Sequence, residues 1–388
     1  MGNLARLFAD DTSLSYFGRN YDIMKSDINN DLSKLNEWAK LWLVDFNPKK
    51  TKALVISTSA VPHLDLRFNG EPVEIVKNHK HLGLTFASDG NWTNHIDNIV
   101  NAAFKQVNVL RKLKFTLSKQ TLSNIYLTFI RPTLEYACEV WDGCFEREVA
   151  KLEKVQLESA RIVTGLPTFA SRDSLYYETG WEPLSCRRKS RKLTTFYKMH
   201  NKVCPQYLCN CLPPTVSSIS DHNLRNNENY TTPRSRLRMS LTSFIPSTVS
   251  LWNNLDLNVR NSPNISCFKS RIKEKTVKSP EYYGEGSRKL SILHARLRHQ
   301  CSSLNSDLYR INITNDPKCQ CGAPYEDSIH YLMECPLYQN ERYCLFRNLR
   351  ETNKNIETLL FGNDEININE NSNIFNKVRA YIRQTKRF

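Results

Sequence analysis

Long apolar runs are missing from this chain of 388 residues. No uninterrupted hydrophobic stretch approaches the ~20 residues a membrane-spanning helix needs, so neither a transmembrane protein nor a membrane partner is expected. The first eleven residues reach the charged pair Asp10-Asp11 before any apolar segment builds up, so a secretory signal is not expected either. Nor do Ala5 and Arg6 continue a myristoylation acceptor after the Met-Gly start. An internal repeat is also absent. What is present excludes a wholly disordered chain: 40% of the residues are hydrophobic and 24% charged, with length enough for two or three domains. Twelve cysteines without a secretory signal point to free thiols or metal ligands in an intracellular setting, nuclear or cytoplasmic, rather than to a disulfide framework.

The charge is uneven. The chain carries a formal +15, but residues 1–100 sum to −1, residues 101–300 to +16 and residues 301–388 to zero. A basic middle of this size is the footprint of a segment that binds a polyanion, with a solubilising surface as the plain alternative. Within it lie Lys112 and Lys114 and the cluster Arg187, Arg188, Lys189, Arg191 and Lys192.

The first hundred residues read as mixed α/β. Leu4–Phe8 and Thr12–Tyr16 are strand-like runs on either side of Asp10 and Asp11. Ile28, Leu32, Leu35, Ala39 and Trp42 recur at helical spacing, and Asn47-Pro48 is expected to end that element. A strand is expected at Ala53–Ile56. Leu64, Leu66 and Phe68 alternate up to Asn69-Gly70, and Val73 and Ile75 alternate beyond it, the pattern of a two-residue hairpin.

From about residue 101 the period is helical. Leu122, Ile125, Tyr126, Phe129 and Ile130 form one stripe that Pro132 is expected to break; Leu134 to Trp141 and Val149 to Ile162 give two further helices, the last stopped by Gly165. The expectation is a bundle with basic residues on its outer faces. Residues 205–265, with Pro213-Pro214 and a serine-rich stretch, read as a long connection. The tail after residue 351 reads as polar, ending in a short helix at Ile374–Arg383.

Two constellations carry chemistry. Adjacent carboxylates at a strand tip repel each other, and the usual compensation is a divalent cation with hard oxygen ligands, although the dipeptide by itself reads more readily as an ordinary surface turn. Cys319-x-Cys321-x8-His330-x4-Cys335 offers three thiols and an imidazole, the ligand set of a four-coordinate structural zinc. Gly322 lets the backbone turn, and Tyr331, Leu332 and Met333 stand ready to cover the site. Buried thiols around a core histidine are the alternative. Cys204, Cys209 and Cys211 lack a well-placed fourth ligand and read as structural.

The succession Phe8-Ala9-Asp10-Asp11, Trp38, Trp42, Phe46-Asn47-Pro48-Lys49-Lys50, His81-Leu82-Gly83-Leu84-Thr85-Phe86 and Ile125-Tyr126 to Arg131-Pro132 resembles the reverse transcriptases of non-LTR retrotransposons, the jockey-like lineage in particular. The Cys-Gly, His and Cys-Pro pattern with Tyr338 and Arg342 is similar to the cysteine-rich C-terminal motif of the same family. The resemblance implies an α+β palm remnant at 1–100, a mainly α-helical thumb at 101–170 and a basic connector at 171–285. A small zinc-binding module at 286–350 and the polar tail at 351–388 would follow. It implies RNA-directed DNA polymerisation on an RNA template with a DNA primer or target. In such an enzyme Asp10 and Asp11 bind Mg²⁺, Lys50 (with Lys49 an equal reading) stands near the leaving pyrophosphate, and His81 to Phe86 forms the primer-gripping strand. The family takes a further carboxylate and a fingers domain from upstream, whereas nine residues precede Asp10 here. The expectation is therefore an N-terminally truncated polymerase that does not work alone, with an intact copy of the same polymerase as a partner. A nucleic-acid-binding remnant without catalysis is the alternative.

Overall fold

A computed structural model describes residues 4–57, 59, 61, 62, 64–219, 226–273 and 279–388. The Met-Gly start and parts of the expected connector lie outside them. The chain divides into two compact units, Met1–Ile96 with Leu237–Met239, and the rest.

In the first unit β1 (Leu4–Phe8) and β2 (Asp11–Ser15) form an antiparallel pair in which Phe8 faces Asp11. Asp11 therefore opens β2, and the turn is Ala9-Asp10, with Ala9 at φ 51°. That left-handed conformation costs an L residue about 1–3 kcal/mol. The helix α1 (Tyr21–Leu41) starts on Asn20, whose side chain accepts the N–H of Asp22 and Ile23. It ends six residues before Asn47-Pro48. Leu43 turns left-handed at φ 54° and the Val44 N–H reaches the Ala39 carbonyl at 2.9 Å, which closes the helix without a proline.

Short pairs follow. A parallel pair joins β3 (Lys52–Ala53) to β6 (Glu74–Ile75), so the expected strand at Ala53–Ile56 shrinks to two residues. The hairpin of β4 (Arg67–Phe68) and β5 (Glu71–Pro72) turns on Asn69 (φ 52°) and Gly70 (φ 79°), as its sequence requires. The α1 stripe of Ile28, Leu32 and Leu35 packs with Leu64, Leu66, Phe68 and Val73. β7 (Asn78–His81) and β8 (Leu84–Ala87) form a second hairpin around Leu82 (φ 47°) and Gly83 (φ 80°). His81 to Phe86 is thus a turn between two strands, not one strand.

The helix α2 (Thr93–Leu113) crosses from one unit into the other. In the second unit α3 (Lys119–Ile125), a π-helical turn at Tyr126–Ile130 and α4 (Arg131–Glu135) run on without a stop. Pro132 does not end the helix. The Arg131 N–H bonds the Tyr126 carbonyl five residues back, and a proline at the start of α4 lacks only an N–H that the wider turn leaves unused. The stop comes at Ala137 (φ 48°), before α5 (Cys138–Trp141). Then come α6 (Glu146–Thr164), stopped by Gly165 at φ 73° as expected, α7 (Arg172–Thr179) and α8 (Leu184–His200). A Cβ on Gly165 would meet the Ile292 side chain at 2.6 Å.

Among the described residues the expected connection carries helices. After α9 (Gln206–Cys209), α10 (Val216–Ile219) and α11 (Arg238–Thr242), three helices are ordered: α12 (Phe244–Asn253), α13 (Leu257–Arg260) and α14 (Ile265–Ile272). They bury Val249, Trp252 and Phe268 against Leu193, Phe196 and Tyr197 of α8. The C-terminal region holds α15 (Arg288–Arg298), α16 (Asn305–Arg310), α17 (Gln339–Phe346), α18 (Ile356–Phe361) and α19 (Ile368–Thr385). The tail is therefore not a polar appendage: α19 is 18 residues long and buries Ile374, Phe375, Val378, Tyr381 and Ile382 with Tyr331, Leu332 and Leu359. Sequence composition misled here because Asn367 caps this helix and Asn369, Asn371, Asn373 and Asn376 lie within it, while its apolar residues fall on one face.

Glu178 ties this unit together. Its buried carboxylate meets Arg298 of α15, Lys119 of α3 at 2.8 Å and His299 at 3.1 Å. Burial alone pushes its pKa up, but Arg298 and Lys119 outweigh that and hold it well below the usual 4.5. A carboxyl so depressed contributes stability that is present above the unfolded pKa of 4.5 and is lost as pH falls through the lower folded value. Glu178→Gln is expected to cost about 3–5 kcal/mol at neutral pH, because it leaves Arg298 buried and unpaired. Urea unfolding at pH 7 measures that loss. The gap between variant and parent should close only at pH well below 4.5; a constant gap there would refute the ionic account.

Candidate metal centre

Cys319 and Cys321 sit on a tight loop whose turn needs a residue at positive φ, supplied by Gly322 at 96°. The Gly322 N–H bonds the Cys319 carbonyl at 2.9 Å, and the Cys319 N–H bonds the Ala323 carbonyl at 3.0 Å. Two thiols are thereby turned to one side. His330 opens a π-helical turn at His330–Glu334, and its N–H is capped by the Asp327 carboxylate at 2.8 Å. The Cys335 N–H reaches back to the His330 carbonyl, which brings the last thiol round to the first.

The four ligand atoms lie within 4.8 Å of one another. Cys319 Sγ and Cys335 Sγ are 3.7 Å apart, and Cys321 Sγ stands 3.2 Å from His330 Nε2. Zn–S bonds of about 2.3 Å at tetrahedral angles put two sulfurs about 3.8 Å apart. The donor set and spacing therefore fit a tetrahedral zinc, and the thiols are drawn together without forming a disulfide.

The surroundings support the ligands. His330 Nδ1 faces the Glu334 carboxylate at 3.6 Å, the direction in which a ligating imidazole holds its second nitrogen. Arg342 donates to the Leu332 carbonyl at 3.1 Å and to that of Cys335. Tyr331 and Leu332 are fully buried and belong to the core under the loop, and the Tyr381 hydroxyl donates to the Tyr331 carbonyl at 2.5 Å. Burial pushes the Cys335 thiol up to about 12, while the Ala323 backbone pulls Cys321 down to about 7. Glu334 was not singled out in the sequence, although its i,i+4 spacing from His330 was readable.

The other candidate residues are dispersed. Asp10 and Asp11 are exposed at the β1–β2 tip, and neither pairs with a cation among the described residues. Lys49 and Lys50 are exposed in the turn after Asn47, held by their backbone N–H groups. Lys112 is exposed in the last turn of α2, and Lys114 lies 4.9 Å from the Phe115 ring centre.

The cluster on α8 does not present five charges to solvent. Arg188 and Lys192 are buried and share Asp142, at 2.7 and 3.0 Å, with Lys192 also bonding Ser247 at 2.8 Å. Arg187 grips Glu135 through two contacts, the longer at 3.0 Å, and Arg191 meets Glu139 at 3.1 Å. Only Lys189 is exposed without a carboxylate partner among the described residues. The counter-charges lie some 50 residues earlier, where sequence spacing cannot show them.

No family model matches the chain. Over 172 residues it is 23% identical to the probable RNA-directed DNA polymerase from transposon X-element of Drosophila melanogaster, covering 44% of this chain and 19% of that protein. Over 171 residues it is 25% identical to the RNA-directed DNA polymerase from mobile element jockey of the same organism, covering 43% and 18%. A stretch of 40 residues is 50% identical to the retrovirus-related Pol polyprotein from type-1 retrotransposable element R1 of Bradysia coprophila, covering 10% of this chain and 4% of that protein. The matches thus span about a fifth of the length of the X-element and jockey polymerases.

Purified chain is expected to carry one zinc, measured by atomic absorption. Cys335→Ser should lower that content at least about tenfold, and affinity should rise with pH because the bound thiols must release protons. Equal metal content in variant and parent would remove the site.

Proposed function

From relatives that are retrotransposon polymerases, we propose that this chain is part of a jockey-like RNA-directed DNA polymerase, acting on an RNA template with a DNA primer or target. The observation that carries the reading is the likeness to the X-element and jockey enzymes over more than two-fifths of the chain. In this reading residues up to about 100 are palm, residues 101–170 the thumb and residues 286–350 the zinc-binding module.

Asp10 and Asp11 hold Mg²⁺ at the hairpin tip, with Lys50, or equally Lys49, on the pyrophosphate side. Divalent cations bound there would activate the primer hydroxyl and stabilise the leaving pyrophosphate. The exposed tip and its tight turn support this, since two oxygen ligands open to solvent can receive a nucleotide-bound metal. The Cys/His set holds Zn²⁺ as a structural ion and stiffens a surface for RNA.

A second reading, nucleic-acid binding without catalysis, has its own support. Among the described residues, the Cys/His set is the one group of three or more ligand-bearing side chains close enough to share an ion, so Asp10 and Asp11 bring two carboxylates and no third. An intact copy of the polymerase would be the natural partner in that case.

Primer extension decides between them. In a full-length polymerase carrying this segment, Asp10→Ala should lower Mg²⁺-dependent extension at least about a hundredfold, or about 2.7 kcal/mol. Retained extension would sink the catalytic role. Salt-dependent binding by this chain with no extension in any context would leave the second reading.

A further inference from the structure

The helix α8 divides its charges between two faces. Arg188 and Lys192 point into the core, but Arg187, Arg191 and Lys198 fall along a second stripe at helical spacing. Lys269 and Lys273 follow the same rule on and just beyond α14, which packs against α8. The two stripes line one cleft of about 510 Å³, to which Ser190 and Thr195 add hydroxyl groups.

Five cations and two carboxylates, Glu139 and Glu182, line this space, and Glu135 beside Arg187 makes a third counter-charge, which leaves an excess of two positive charges. These carboxylates answer Arg187, Arg191 and Lys273 but leave two lysines over. Glu139 is engaged by Arg191 at 3.1 Å, and Glu182 stands 3.9 Å from Lys273. Lys198 and Lys269 have no carboxylate partner among the described residues. Cations gathered in a concavity repel one another and focus their field outward, which favours an anionic occupant over a solvated face.

We infer that this cleft is a binding site for the sugar–phosphate backbone of a nucleic-acid strand. Dimensions and chemistry agree. The α8 stripe from Arg187 to Lys198 covers about 16 Å at 1.5 Å per residue. A span of that length takes a few consecutive phosphates of one strand. Lysine ammonium groups and hydroxyl groups match the acceptor oxygens of a phosphodiester, and contacts of this kind hold a strand without reading its bases. The site rests on the nucleic-acid reading above for the nature of its ligand, but not on catalysis.

The test measures binding of a fluorescently labelled 20-nucleotide RNA to the whole chain by anisotropy, across a series of salt concentrations. Lys198→Ala with Lys269→Ala is expected to weaken binding at least about tenfold and to reduce the salt slope by about 1.4, as each single-strand phosphate neutralised contributes about 0.7. Lys189→Ala, on the same helix but outside the cleft, should stay within about twofold of the parent. Unchanged circular dichroism and melting temperature in the double variant are expected, since Lys269 is exposed and Lys198 part-exposed. A double variant that binds like Lys189→Ala overturns the cleft while leaving nucleic-acid binding elsewhere intact. A parent chain with no salt-dependent binding overturns both. Poly-glutamate of equal charge binding as tightly, with the same loss in the double variant, overturns the assignment to phosphate.

Discussion

The second unit depends on one buried carboxylate. Glu178 is nearly inaccessible, and an isolated charge there would be too costly to keep. Three basic side chains from two separate stretches of chain answer it: Lys119 before the π turn, and Arg298 and His299 more than 100 residues later. Arg298 is fixed in turn, with its guanidinium 3.7 Å over the Tyr283 ring and a bond to the Leu360 carbonyl. The aromatic core around Tyr283 and Phe375 is thereby set on a defined ionic anchor. Hydrophobic burial supplies most of the stabilisation, but it is non-directional, and the ion cluster specifies which helices meet.

Arg288 repeats the device at a second junction. Its guanidinium donates to the carbonyls of Ile162 and Val163 at the end of α6 and of Lys114 beyond α2. Helix C-termini carry partial negative charge and unpaired carbonyls, so one cation satisfies both. Much of the basic excess in the middle of the chain is therefore structural mortar, which is why net charge alone overstates the surface left for a polyanion.

What the sequence disclosed was local. Asn69-Gly70 demands its turn whatever surrounds it, Gly165 its helix stop, and the spacing from Cys319 to Cys335 its loop. Each is decided within about 17 residues. What the sequence hid was non-local or overridden. Pro132 is a helix breaker only if the ladder keeps its usual period, and the π turn before it changes that period. The run at 187–192 looks like an exposed basic patch until Glu135, Glu139 and Asp142 fold against it. The tail looks polar because eight asparagines are scattered through it, although the apolar residues of α19 share a face. Lys198 and Lys269 were not singled out because their common cleft exists only once α14 lies on α8.

The Cys/His loop and α19 share one core. Tyr331, between the third and fourth ligands, donates or accepts a hydrogen bond with Thr385 at 2.6 Å and takes one from Tyr381, partners 54 and 50 residues further along. During synthesis the ligands are made first and their cover last. The loop therefore emerges from the ribosome with its apolar underside bare, and several seconds pass at about 5–20 residues per second before α19 exists to close it. For that interval Tyr331 and Leu332 are without the side chains of α19 that bury them in the finished fold.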